Sequence, residues 1–129
     1  MLALATGLAG FPYDAHMPLK GSARSQSCGS SLGMVLSLDD AGCIAAIGLR
    51  SHACAIGQAA AAIFANAAAG MDRQAIGAAL GEIADWLAGK GAMPDWPGLS
   101  AIAAARDYPA RHGAIMLAWK AALDALPTA

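Results

Sequence analysis

Aromatic residues make up only 5% of this 129-residue sequence and charged residues only 13%, although 57% of it is hydrophobic. Alanine supplies most of the apolar content, which points to close-packed helices and not to an oily membrane protein. Any run of Lys or Arg is lacking: the eight basic residues are scattered along the chain, and with nine acidic residues they leave a net charge of −1. A nucleic-acid or anionic-membrane surface needs clustered positive charge, so neither partner is expected. Long stretches of Leu, Ile, Val or Phe are absent too. Residues 53–71 carry no charge, but they are dominated by alanine and interrupted by Gly57, Gln58 and Asn66, so a buried helix is expected there and no membrane span. The first basic residue is Lys20, so the start has no charged n-region of a secretory signal, and a cytoplasmic protein is expected.

Cysteine is sparse and odd in number: Cys28, Cys43 and Cys54. With no export signal expected, a disulfide framework is not expected either, and free thiols or metal ligands remain. No CxxC, HExxH, GxxxxGK[ST] or GxSxG motif occurs, which removes the closely spaced metal sites, the phosphate-cradling loop and the nucleophile elbow. A chain of this length fits one domain, 1–129, and no linker divides it. A fold of this size buries roughly two-thirds of its unfolded surface, so it needs no disulfide or metal staple.

What is present reads as strands first and helices afterwards. Residues 2–9 form a short apolar helix ended by Phe11-Pro12-Tyr13, because proline lacks an amide donor and restricts the residue before it. Leu19 to Arg24 is extended and leads into a Ser/Gly-rich loop that contains Cys28. Met34–Leu38 and Cys43–Leu49 pair as a hairpin across the turn Asp39-Asp40-Ala41-Gly42. Helices follow at about 54–69, 73–90, 99–106 and 110–125, separated by Gly70, Gly91, Pro94, Pro97 and Pro109. In the second of these, Ile76, Leu80, Ile83 and Leu87 recur at spacings of three and four and build one apolar face, with Trp86 and Trp96 expected to cover it. The order implies an α+β fold: a small antiparallel sheet of about three strands with helices packed on one face.

Each candidate for chemistry has two readings. Cys28 is either an incidental loop residue or an accessible thiol, since environment decides cysteine reactivity. Cys54 falls at the N-terminus of the Ala-rich helix, where unpaired amides favour a thiolate that can attack or bind metal; the alternative is a small residue packed under the helix start. Cys43, among apolar neighbours, reads as a core or edge residue. His16, His52 and His112 are either ligands or surface and capping residues.

Several of these positions together resemble the IscU/SufU/NifU N-terminal scaffold family. Ser27-Cys28-Gly29-Ser30 is similar to the family's T-C-G-D loop, and Ala53-Cys54-Ala55-Ile56-Gly57-Gln58-Ala59 to its G-C-[SA]-I-S-x-A-S helix start. Trp86-Leu87-Ala88-Gly89-Lys90 falls where the family has a helix ending in Gly-Lys. The run from Tyr108 to Ala121, YPARHGAIMLAWKA, resembles the SufU-like F-P-A-R-x-x-C-A-x-L-A-W-K-A. The family brings three cysteines and an aspartate from separate loops onto a metal or nascent cluster. Here Ser30 stands at the aspartate and Ala114 at the third cysteine. His112 lies two positions before Ala114, one residue further than the IscU-like histidine, which turns it about 100° away on an ideal helix.

The resemblance implies a non-enzymatic scaffold or carrier that takes up persulfide sulfur and iron and passes on a transient [2Fe–2S] cluster. In it Cys28 is the sulfur acceptor, Cys54 the helix-anchored ligand and His112 a third contributor. Two thiolates fall short of the four donors that a [2Fe–2S] cluster or tetrahedral zinc takes, so an external thiol, a water or a second subunit, as in a homodimer, completes the set. The implied partners are a cysteine desulfurase and recipient apoproteins. Two further readings follow from the same resemblance: a zinc-dependent, SufU-like sulfurtransferase, and a paralogue that keeps the fold and acts only through protein contacts.

Overall fold

The computed structural model describes residues 10–25 and 29–127, so the helix expected at 2–9 and the Cys28 thiol lie outside the described residues. Three strands, β1 (Leu19–Arg24), β2 (Ser31–Leu38) and β3 (Ile44–His52), form an antiparallel sheet in the order β1-β2-β3. Three α-helices follow, α1 (Ala55–Ala67), α2 (Arg73–Leu87) and α3 (His112–Ala125), with 3₁₀ segments at Leu99–Asp107 and Pro109–Arg111 between the last two. This is the α+β arrangement the sequence implies.

Strand alternation sets the two faces of the sheet. Leu19, Gly21 and Ala23 of β1 lie opposite Leu36, Met34 and Leu32 of β2, and Met34 and Leu36 lie opposite Leu49 and Ile47 of β3. Side chains two apart share a face, so this set forms the inner wall of the core. Both β2 and β3 run three residues further than the hairpin read from sequence. Ser31, Leu32 and Gly33 pair with His52, Ser51 and Arg50, and the ladder bonds hold even where the side chains are polar. At the far end Asp39 closes the turn by accepting from the amides of Ala41 and Cys43, both at 2.9 Å.

Helix α3 lies against β1 and β2 and is also packed by α1 and α2. Its buried face is mostly alanine, which lets backbones approach closely. The closest approach is at Gly21: a Cβ there would overlap the Ala121 carbonyl and come within 2.8 Å of the Ala125 Cβ. Helix α1 is enclosed, with Ile56, Gly57 and every residue from Ala59 to Ala65 buried. The uncharged stretch is thus a core helix of 13 residues. Among the described residues no helix is long and apolar enough to cross a membrane.

The few aromatic residues are concentrated where the helices meet. Phe64 stacks on Trp96 at 5.5 Å, and Trp119 meets both edge-on at 5.3 and 5.2 Å. Trp96 also donates its indole N–H to the Ile63 carbonyl at 3.0 Å. It therefore anchors to α1 and α3, and it also borders α2, sharing a cleft with Ala75, Ala78, Ala79 and Glu82. The α2 face is closed by Ile76 and Ile83, with Trp86 and Leu87 also buried.

The helix expected at 99–106 is a 3₁₀ segment with a kink at Ile102 (φ −116°, ψ 18°). Leu99, Ile102 and Ala105 are its buried residues. A spacing of three matches the three-residue turn of a 3₁₀ helix better than the 3.6 of an α-helix. Pro109 stops it by removing an amide donor and holding Tyr108 out of helical geometry (φ −120°, ψ 84°), and a short 3₁₀ turn then leads into α3.

On the outer face, the segment before β1 covers the free edge of β3: the Leu49 amide donates to the Phe11 carbonyl at 2.9 Å. The close contact at Gly21 yields a direct test. Gly21→Val is expected to lower stability by about 2 kcal/mol through overpacking, whereas Gly33→Ala, whose Cβ would meet the Tyr13 ring at 3.7 Å, should stay within about 0.5 kcal/mol. Urea midpoints measure both, and an unchanged midpoint for Gly21→Val would refute the close approach of α3.

Candidate functional site

The site is built where β3 gives way to α1. The chain leaves the sheet at His52, and Cys54 is the N-cap of α1 with extended backbone (φ −64°, ψ 170°) and no side-chain capping bond. Its sulfur is therefore not tied to the first-turn amides, and the residue is half-buried. Gln58, one turn into the helix, reaches back and donates its side-chain amide to the Ala53 carbonyl at 3.0 Å, bracing the helix start against the strand end.

The β1–β2 loop is brought alongside by register, because Ser31 pairs with His52. Its ends are drawn together by Ser25 N–H to the Ser30 carbonyl (2.8 Å) and Gly29 N–H to the Ser25 carbonyl (3.1 Å). Gly29 takes the left-handed conformation, φ 70°, which a side chain disfavours. Gly29, Ser30, Ser51, His52, Cys54 and Gln58 line a polar cleft of about 410 Å³. Cys28, the residue before Gly29 in sequence, lies outside the described residues. Within the cleft wall the Ser51 hydroxyl is buried with no hydrogen-bond partner among the described residues.

Cys54 also borders a second cleft of about 510 Å³, this one mainly apolar and formed by Ile56, Ile102, Ala105, Tyr108 and Arg111. Tyr108 on its rim is 64% exposed. The Cys54 thiol thus stands between a polar and an apolar opening.

The other positions that the resemblance singles out are filled differently. Ser30 is 3% exposed and Ala114 only 1%. Ala114 packs on α1 one turn after Cys54: a Cβ on Gly57 would lie 3.2 Å from the Ala114 Cβ. His112 directs Nε2 to the Arg106 carbonyl at 2.7 Å. A carbonyl only accepts, so that nitrogen donates and Nδ1 is left as the acceptor of the neutral ring. The bond ties His112 to the 3₁₀ segment. Cys43 sits in the β2–β3 turn, where its carbonyl accepts from the Asp39 amide at 2.8 Å, and it takes no part in the site.

Among the described residues no three His, Cys, Asp or Glu side chains are placed to hold a metal ion. Ser30 offers a neutral hydroxyl, a hard donor poorly matched to zinc or iron–sulfur chemistry, and Ala114 offers none. A closed tetrahedral zinc site therefore does not fit these residues, and no step is assigned to zinc. Ser51, Gln58, Tyr108 and Arg111 enter the site without having been singled out as such from sequence. The alternation of β3 carried past Leu49 is the signal that would have placed Ser51 on the inner side.

No family model matches the sequence, and no curated protein matches it. Solved structures do. The N-terminal NifU-like protein of Brucella abortus superposes with a TM-score of 0.86 at 25% identity, over 96% of this chain and 87% of that one. A protein from the thermophile Fervidobacterium islandicum AW-1, described as an iron–sulfur cluster assembly scaffold for the SUF system, gives a TM-score of 0.81 at 19% identity, over 96% and 94% of the two chains.

The contact between Ala114 and α1 predicts how a third donor would act. Ala114→Cys should place a thiol beside the turn that follows Cys54 and tighten Co(II) binding about tenfold or more, with a thiolate charge-transfer band. Titration of the same substitution in a Cys54→Ser background should lose that gain. A gain retained there would mean that positions 54 and 114 do not share a metal.

Proposed function

We propose that this IscU/SufU/NifU-like protein is a non-enzymatic scaffold or carrier for iron–sulfur cluster assembly, holding its cargo through Cys28 and Cys54. The observation that carries the reading is the placement of Cys54: it caps a buried helix, with no side-chain capping bond, on a cleft also lined by Gly29, which follows Cys28 in sequence. The fold matches a SUF scaffold protein over nearly the whole chain.

In this reading Cys28 accepts sulfur. Its thiolate attacks the outer sulfur of a persulfide on a cysteine desulfurase; a new S–S bond forms on Cys28, the donor's S–S bond breaks, and the donor cysteine leaves as a thiolate. Two external thiols then reduce the Cys28 persulfide: its S–S bond breaks, sulfide is released, the Cys28 thiol is restored and the external pair leaves as a disulfide. Cys54, anchored on α1, helps hold iron and that sulfide as cargo. Two protein thiolates leave half of a four-donor set open to an external thiol, a water, a further ligand such as His112 released from Arg106, or a second subunit. An open set holds its cluster weakly and suits transfer to recipient apoproteins. The cytoplasm, where free thiols persist, is the compartment such a thiol pair requires.

The test is anaerobic reconstitution with iron, cysteine and a desulfurase, followed by iron and acid-labile sulfide analysis. Wild type is expected to carry iron and sulfide in near-equal amounts, and Cys28→Ser and Cys54→Ser to lose both. Wild type that takes up neither would sink the scaffold reading and leave a fold that works through its surface alone.

A further inference from the structure

The basic residues are scattered along the sequence, but the strand register gathers three of them. In β1, Lys20, Ser22 and Arg24 are the exposed residues, and they lie opposite Val35, Gly33 and Ser31 of β2. Those three are in turn opposite Gly48, Arg50 and His52 of β3. Residues paired across strands share a face, so Lys20, Arg24, Arg50 and His52 all project from the outer side of the sheet, away from the helices. All four are exposed, and no Asp or Glu occurs in any of the three strands. With strands about 4.8 Å apart and alternate residues about 6.7 Å apart, the group occupies a patch of roughly 10 by 14 Å.

The patch is ordered at its centre. The Tyr13 ring covers Gly33, and the Arg50 guanidinium lies over that ring, 4.1 Å from its centroid. Stacking holds the planar fork in place while leaving its edge free to meet a carboxylate side by side. The two carboxylates bordering the face are engaged with backbone: Asp14 accepts from the His16 amide and Asp124 from the Ser22 amide, each at 2.9 Å. No ion pair joins Lys20, Arg24 or Arg50 to a carboxylate among the described residues.

We infer that the outer face of the sheet is a docking surface for an acidic protein surface, presented by the partner that exchanges sulfur or cluster with this chain. The second half rests on the function proposed above. Position supports it, since the row Arg24–Ser31–His52 is the edge of the patch nearest the polar cleft, and His52 is a wall of that cleft. Charge selects the class of occupant. Outside the patch the chain carries five basic and nine acidic residues, so a polyanion that extends past it meets repulsion. Duplex nucleic acid gains useful affinity from about six to ten phosphate contacts, and membrane surfaces from about four to eight clustered Lys or Arg. A few carboxylates on a folded protein match three cations, one of them a stacked arginine.

The experiment titrates the full ¹⁵N-labelled chain with a synthetic peptide of about twelve Glu and Asp residues at low salt. Shifts are expected at β1–β3 and residues 10–14. The double variant Arg24→Glu, Arg50→Glu should bind the peptide at least about tenfold more weakly, and Lys90→Glu, Lys120→Glu, both on the helical side, should bind as wild type. No binding, binding unchanged in the sheet variant, or equal loss in the helical control would each overturn the proposal. So would tighter binding of a short DNA duplex or of phosphatidylserine vesicles. Loading with iron and inorganic sulfide separates the two readings: the sheet variant should load as wild type does, whereas a wild type that fails to load defeats the scaffold reading and leaves the peptide result standing.

Discussion

The position of the last helix governs this molecule, and two missing side chains permit it. Gly21 lets α3 press onto β1, and Gly57 lets the start of the same helix press onto α1. Alanine lines most of the rest of the contact, and Trp119, fully buried among Phe64 and Trp96, fixes the helix along its length. One helix thus touches both the sheet and α1. The distance between the start of α3 and the start of α1 is set by the contact of Ala114 with the Gly57 turn, one turn from Cys54.

That packing bears on the donor set proposed above, in which two places are open. The position equivalent to a third thiolate is Ala114, and it is closed over by the Gly57 turn. His112 is held by a backbone carbonyl of the 3₁₀ segment, a bond that a metal would have to replace. What stays accessible is Cys54 at the junction of two clefts of opposite character. A thiol so placed can meet a small polar group from one side and an apolar group from the other. This suits a cargo that must enter and leave, and is unlike the closed shell of a structural metal.

Much of the fold was legible because it rests on local patterns. The β2–β3 hairpin follows from an Asp-rich turn between apolar runs, the buried α1 from an uncharged alanine stretch, and the α2 face from apolar spacings of three and four. Errors came where a local pattern was ambiguous or a partner was distant. Leu99, Ile102 and Ala105 at spacings of three fit either kind of helix until proline and a kink decide. Ser31–Gly33 and Arg50–His52 look like loop because ladder bonds, invisible in side-chain polarity, hold them as strand. For the site, Cys54 could be placed because a helix start is a local event. The tie between His112 and a main-chain carbonyl six residues away could not. Nor could the basic face, whose members lie up to 32 positions apart and meet only through register.

The same register divides charge across the molecule. Three of the eight cations stand on the outer sheet face, while the rest of the chain carries five basic and nine acidic residues, among them the exposed Asp72, Glu82, Asp85 and Asp95 of α2 and its flanking loops. A body of nearly zero net charge arranged in this way still has a dipole moment. In the field of an oppositely patterned surface it experiences torque before it experiences contact, and arrives already turned. Such pre-orientation raises the fraction of collisions that lead to a complex without making the complex longer-lived. For a carrier of the kind proposed above, fast arrival with unhindered departure is the more useful property.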